Sequence, residues 1–505
     1  MLSRLLLLAA FALGAAPLAW GGEAPTVDYL ALVRRYADAM LEFGTDRYGE
    51  AKTPQFAGLL IRRDQPELPQ DAVYAQKADG LDPRDVVNHP LVYKGNNRAH
   101  KITYRGGDVA DDAALYQTLY RLSQITSDES YAEAADASLR WFLAHAVQPE
   151  TGLPAWGEHA GWDFRRERAD QGFPFDLKHE FDSRWPLYEK FFELQPAHGL
   201  DQLSVMENFA RGLWFGAVSL SGRTLLYGRH ASLTEPSRPT EGEWAQFGMF
   251  PRHGGYYVDL WARVIRKSRS VVFRRWMEPR FERFVRALEQ QVAAEGFPVY
   301  LEKGEVRRHP EQMASMAWDL DEAAVTLAEI WPQIGLRLHL LAERIDDNLI
   351  KHEDELDPAL ARLRWLARGK RDKRVAALFG KQFLAGAFAL TKLDDLPERP
   401  LGKKVANVAQ PGRIPEQYAD AIGLLLDAAD AVEGDAQDVY LAGANHLADK
   451  AIEHFFDDDS PLPKSLDRPA KLLDGSPYPS FYQSYLGADD LMWALLRLHE
   501  ANQAH

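Results

Sequence analysis

The stretch FERFVRALEQQV (281–292) sets Phe281, Phe284, Val285, Leu288 and Val292 three and four residues apart. That spacing lines the five along one side of an α-helix and leaves Glu282, Arg283 and Arg286 on the other. The same spacing recurs in both directions along the chain. Leu30, Val33, Ala37, Met40 and Leu41 make a first helix that ends near Gly44. Leu115, Leu119 and Leu122 make another stripe, as do Ala135, Leu139, Phe142 and Ala146, and Leu203, Met206, Phe209 and Leu213. Further runs fall near 333–347, 357–368, 373–391, 416–432, 436–455 and 487–502. Each such helix hides one apolar face against its neighbours. Strand signals are nearly absent, the best being near 297–301.

About a dozen to fourteen helices joined by alternating short turns and long loops predict an all-α chain, an (α/α) toroid of about six to seven helix pairs. A repeat solenoid would show side-chain identity at a fixed period, and none is present. The loops stand out instead. Residues 45–110 are rich in Pro, Gly and Asp, and loops of that length in a compact fold are functional or unstructured. Their end, GNNRAHKITYRGGD (95–108), is basic and polar and suits a substrate-facing loop or a solvated surface. The stretch 394–415 reads as one more loop rather than a linker.

The chain has 505 residues, 46% hydrophobic and 26% charged, ordinary values for a globular protein with a large core. Without a cysteine it has neither disulfides nor thiolate chemistry. A net charge of −15 argues against nucleic acid as a partner. Residues 1–22 carry Arg4, an apolar run from Leu5 and small residues at Gly21 and Gly22, the pattern of a cleaved secretion signal. The run is broken by Gly14 and Pro17 and is short for a membrane span. The expectation is a secreted or periplasmic protein, free of the membrane once the signal is removed, with residues 23–505 forming one catalytic toroid.

Chemistry concentrates in residues 156–254, where WGEHAGWDF (156–164), DLKHEF (176–181), YGRHA (227–231) and FPRHGGYY (250–257) sit in Gly- and Pro-punctuated loops. Imidazole nitrogens and a carboxylate oxygen are common ligands for borderline divalent metals, and His159, Glu180 and His230 supply such a set. Glu158 is an alternative to Glu180, and His179 to His159. Arg229, just before His230, is suited to fork onto a substrate carboxylate or to pair with one of the many acidic residues, and Arg252 likewise stands just before His253. Trp156, Trp162, Tyr256 and Tyr257 offer rings for sugar stacking or for the core. Asp319 and Asp321 in AWDLDEAA (317–324) read as acidic residues at a helix start. The Tyr-rich segment YPSFYQSYLGADDLMW (478–493) reads as a closure of the ring that brings Tyr482 or Tyr485 near its mouth or packs them as caps.

This constellation resembles the pectate lyases of polysaccharide lyase family 2. Those proteins fold as an (α/α) barrel, and two histidines and one glutamate hold a transition metal, often manganese. Their second histidine directly follows the catalytic arginine. Here His159 precedes Glu180 by 21 residues and Arg229-His230 follows, with a second interval of 50 residues that is longer than the family's. The resemblance implies β-elimination on a uronic-acid polymer, a pectate-like acidic polysaccharide. It implies Arg229 as base, His159, Glu180 and His230 as ligands to a divalent metal (manganese first, calcium or another transition metal as alternatives), and Arg252 as partner to a carboxylate, with His253, Trp162 and Tyr256 alongside. Two other classes compete. A glycoside hydrolase on the same toroid would need two carboxylates, drawn from Glu158, Asp163 and Asp319. A non-catalytic carbohydrate-binding protein would need neither base nor metal.

Overall fold

The computed structural model describes residues 27–68, 106–157, 160–171, 178–180, 185–195, 204–221, 224–228, 230–233, 249–302, 304–352, 356–369, 372–401, 411–469 and 480–504. The proposed signal segment, residues 1–22, lies outside them, as do residues 69–105 of the long loop.

Fourteen α-helices are present among the described residues: α1 (Tyr29–Ala39), α2 (Ala113–Thr126), α3 (Glu129–His145), α4 (Tyr188–Leu194), α5 (Val205–Ala217), α6 (Pro251–Lys267), α7 (Val271–Glu295), α8 (Pro310–Leu327), α9 (Pro332–Lys351), α10 (Pro358–Arg364), α11 (Lys373–Leu390), α12 (Pro415–Ala429), α13 (Asp435–Phe455) and α14 (Ala488–Ala504). Their starts have local causes. Five open on proline, at Pro251, Pro310, Pro332, Pro358 and Pro415, where the missing N–H costs nothing and the fixed φ suits the first turn. Ser204 and Glu207 close a capping box on α5. Gly296, at φ 78°, ends α7 in the left-handed conformation that an L side chain resists.

The helices form an (α/α) toroid. α14 packs on α12 on one side and on α2 on the other, so the last helix meets the first ones and the ring closes. From α2 the circuit runs through α3 and α4 to α6, then through α8, α10 and α11 to α12. Burial separates the two layers. α6 buries 13 of its 17 residues and is covered on nearly all sides, whereas α7 buries 8 of 25 and keeps a single apolar stripe. That stripe holds Phe281, Phe284, Val285, Leu288 and Val292, the residues whose spacing announced the helix.

Among the described residues thirteen short strands occupy the loops, none longer than four residues. Elements this short show no alternation in sequence, which is why the chain reads as nearly strand-free. They join the segments that precede the inner helices. Phe481–Gln483 pairs with Leu59–Ile61, the Gly58 N–H donates to the Gly106 carbonyl, and Gly107 pairs with Trp162. The Leu301 N–H donates to the Met249 carbonyl, and the Arg252 N–H to Gln312 Oε1. A belt of ribbons therefore binds together the end of the ring at which α2, α6, α8 and α14 begin. Tyr482 is fully buried in it with its hydroxyl on Asp489, while Tyr485 is half-buried, so the C-terminal segment closes the ring as packing.

One expectation is corrected here. Asp319 and Asp321 lie in the middle of α8, not at its start, so the helix dipole has no part in them. Asp321 accepts instead from the buried Arg364 at 2.7 Å, and Asp346 takes a second edge of the same guanidinium at 2.7 and 2.9 Å.

Candidate active site

FPRHGGYY is decoded residue by residue at the start of α6. Pro251 opens the helix. The Tyr227 ring lies so close to Gly254 that a Cβ there would stand 2.7 Å from its Cζ. Gly255 meets α8 in the same way, its absent Cβ falling 2.8 Å from Met316 Cα and 2.9 Å from Asp319 Oδ2. Two adjacent glycines inside a helix cost about 2 kcal/mol in propensity, so close approach on both sides is what they are for. Tyr256 bonds Tyr188 through its hydroxyl, and Tyr257 donates to the Gly228 carbonyl at 2.5 Å.

Two of the candidate ligand positions adjoin through backbone pairing. Lys178–Glu180 runs antiparallel to His230–Ser232, and the register sets Glu180 opposite His230 and His179 opposite Ala231. The strand Ala160–Asp163, which begins one residue after His159, packs beside Lys178–Glu180. Three segments that are remote in sequence thus adjoin. His159, its neighbour Glu158 and Arg229 themselves lie outside the described residues. Among the described residues no three His, Asp or Glu side chains are grouped to hold a metal.

The other sequence candidates divide. Tyr256, Tyr257 and Trp156 are each 1% exposed and belong to the core, so none presents a ring face to a sugar. His253 is equally buried, against the Phe250 ring. Trp162 is half-buried, packed edge-on to Trp141. Asp163 is held as a turn residue by the N–H groups of Arg165 and Arg166, at 2.9 and 3.0 Å. Arg252 differs from most arginines of this protein. Arg364 and Arg368 are buried in ion pairs, and the half-buried Arg263 and Arg413 are paired as well. The half-buried Arg252 has no carboxylate partner among the described residues, and its buried Nε donates to nothing. Trp162 Nε1 and Tyr227 Oη are also buried donors without an acceptor there. Burying such groups unsatisfied costs about 1–3 kcal/mol each, a cost that an anionic, oxygen-rich ligand would offset at the half-buried Arg252.

A second polar cluster, which the sequence reading missed, lies at the seam where α14 meets α2. Burial, with the charges of Asp489, Asp108 and Asp111, pushes the Asp112 carboxyl well up. Burial raises Asp489 to about 6, against the hydroxyls of Tyr36 and Tyr482 that hold its charge. Asp490 reaches water but is hemmed in by protein, which, with Asp489, Asp420 and Glu416, raises it to about 7. The paired acids Asp111-Asp112 and Asp489-Asp490 were the available signal, each pair standing at the start of a helix.

Residues 78–254 match the family described as periplasmic pectate lyase. The match spans all four site motifs apart from the last three residues of FPRHGGYY, and it supports a carbohydrate-active enzyme. Among solved structures, the chain is similar to a cellobiose 2-epimerase from Bacillus thermoamylovorans, with 11% identity, 93% of this chain and 99% of that one covered, and a TM-score of 0.39. It is similar to a sugar epimerase from a ruminal bacterium, with 10% identity, 93% and 99% covered and a TM-score of 0.40. A GH76 α-mannanase of Bacteroides thetaiotaomicron gives 10% identity, 85% and 96% covered and a TM-score of 0.37. Neither site nor reaction follows from likenesses of this level.

Proposed function

We propose that this protein is a periplasmic or secreted lyase that cleaves a uronic-acid polymer, polygalacturonate first, by β-elimination. The observation that carries the reading is the ladder register that sets Glu180 opposite His230, within the stretch that matches the pectate lyases. The orphaned Nε of Arg252 supports an acidic substrate. Residues 23–505 would form one catalytic toroid once residues 1–22 are removed.

Glu180, His230 and His159 would form a donor set of one carboxylate and two imidazoles, which fits a divalent transition metal. Such a metal, manganese in first place, supplies positive charge at the uronate carboxylate, where charge develops as the C5 proton leaves. Arg252 forks onto that carboxylate and orients the sugar. Arg229 takes the C5 proton, which requires surroundings that depress its pKa strongly. The C5–H electron pair forms the C4=C5 double bond, the bond from C4 to the glycosidic oxygen breaks, and that oxygen takes a proton from solvent. No water is added across the bond, so no second carboxylate is needed. With Asp163 held in a turn, the hydrolase reading loses one of its candidate acids.

Mass spectrometry of polygalacturonate digests tests this reading. Elimination gives oligomers whose non-reducing ends are lighter by one water than those of a hydrolase. Products of full hydrolytic mass would establish the hydrolase alternative, and an undigested polymer that is nonetheless retained by the protein would establish the binding protein.

A further inference from the structure

We propose that Tyr257 is the positioning residue for the Arg229-His230 dipeptide. This rests on the reading that Arg229 is the base and His230 a metal ligand. The strand Thr224–Tyr227 pairs with Val218–Ser221, whereas His230–Ser232 pairs with Lys178–Glu180. Gly228, which follows the first of these strands, therefore stands where the chain leaves one ribbon for another. A corner loses the ladder that fixes a strand, and its carbonyl must find an acceptor's partner elsewhere. The Gly228 N–H still reaches back to the Ala217 carbonyl at 2.8 Å. Its carbonyl accepts from Tyr257 Oη at 2.5 Å, inside the protein.

Tyr257 is well placed to hold that carbonyl still. It belongs to the largely enclosed α6, and its ring packs between Tyr256 and Trp261. Trp261 is in turn fixed by its Nε1–H on the Ala210 carbonyl of α5, at 3.0 Å. The corner is thus tied to the ring's core on one side and to the Glu180–His230 ladder on the other. In sequence, Arg229 follows the first anchor and precedes the second. Freeing the first anchor displaces base and ligand together, and displacements of about 1 Å at a reacting group cost on the order of 100-fold in rate.

The test is Tyr257→Phe, which removes one hydroxyl and keeps the ring. Tyr440→Phe is the control, since Tyr440 also donates to a backbone carbonyl, that of Leu384, away from the site. Site-specific 4-aminophenylalanine at 257, a weaker donor, is the graded variant. The readouts are manganese affinity by equilibrium dialysis, and kcat and KM on polygalacturonate. Tyr257→Phe is expected to weaken manganese binding about tenfold, as losses of residues that orient ligands do, and to lower kcat at least tenfold with KM within about twofold. The 4-aminophenylalanine protein falls between, and Tyr440→Phe matches wild type. Wild-type affinity and kcat in either 257 variant, or equal losses in Tyr440→Phe, overturn the proposal. A wild-type protein that binds manganese but eliminates no uronate polymer sinks the lyase reading alone, and the affinities still decide on Tyr257. One that does neither overturns both.

Discussion

Arg252 is the residue on which the proposed recognition of an acidic substrate turns. Its guanidinium lacks a carboxylate among the described residues, and a charge-assisted hydrogen bond is worth about 1.5–3 kcal/mol. Arg252→Ala is therefore expected to raise KM for polygalacturonate by tenfold or more while kcat moves less, as steady-state kinetics would register. An unchanged KM would mean that the orphaned Nε faces something other than substrate. Arg229→Lys is expected to keep the melting temperature and lose on the order of 100-fold in kcat, since a compact ammonium cannot replace a planar guanidinium as base. Glu180→Ala is expected to lower manganese occupancy in elemental analysis. Full occupancy in that variant would move the carboxylate ligand to Glu158.

At the scale of elements, the contact between α6 and α8 depends on Gly255. Alanine there would gain about 1 kcal/mol in helix propensity. Its Cβ would also stand 2.8 Å from the Met316 Cα, a backbone atom that cannot rotate away, and overpacking of this kind costs about 1–3 kcal/mol. Overpacking wins, so Gly255→Ala is expected to unfold at lower urea than wild type, and equal or greater stability would contradict the contact. The sequence reading put FPRHGGYY in a loop, because two glycines break a helical pattern; it is corrected by the structure, where close packing on Tyr227 and Met316 keeps the pair inside α6. The helices themselves were legible because three-to-four spacing over ten or more residues has few rival readings; Phe281 to Val292 is the clearest case. The ribbons were not legible, because strands of two to four residues carry no period. The pairing of Glu180 with His230 is a contact across 50 residues that only the folded ring creates. Asp319 and Asp321 misled for a related reason: acidic residues mark helix starts statistically, but Pro310 starts α8 nine residues before Asp319, and Arg364 from another helix is what Asp321 serves.

The whole molecule closes at the seam between α14 and α2, and there the buried acids set a pH dependence. Asp489 is raised to about 6 and Asp490 to about 7, above the value near 4 of an unfolded aspartate. Between those limits the fold keeps protons that the unfolded chain has lost, so stability is complete below pH 4 for these groups and declines as pH rises through 6 and 7. Melting temperature is expected to fall from pH 5 to pH 8. Asp489→Asn, whose amide oxygen still accepts from Tyr36 and Tyr482, should flatten that slope; an unaltered slope would show that the seam does not titrate. The decline leaves the ring open to no particular reaction, and its chemistry rests on the other half of the belt. The most direct measurement of that chemistry is ultraviolet absorbance of the unsaturated uronate released from polygalacturonate, recorded with chelator and again after added manganese. Absorbance that grows, stops with chelator and returns with manganese is the expected result. Reducing ends that accumulate without that absorbance, indifferent to chelator, would contradict a metal-assisted lyase built on Glu180, His230 and His159.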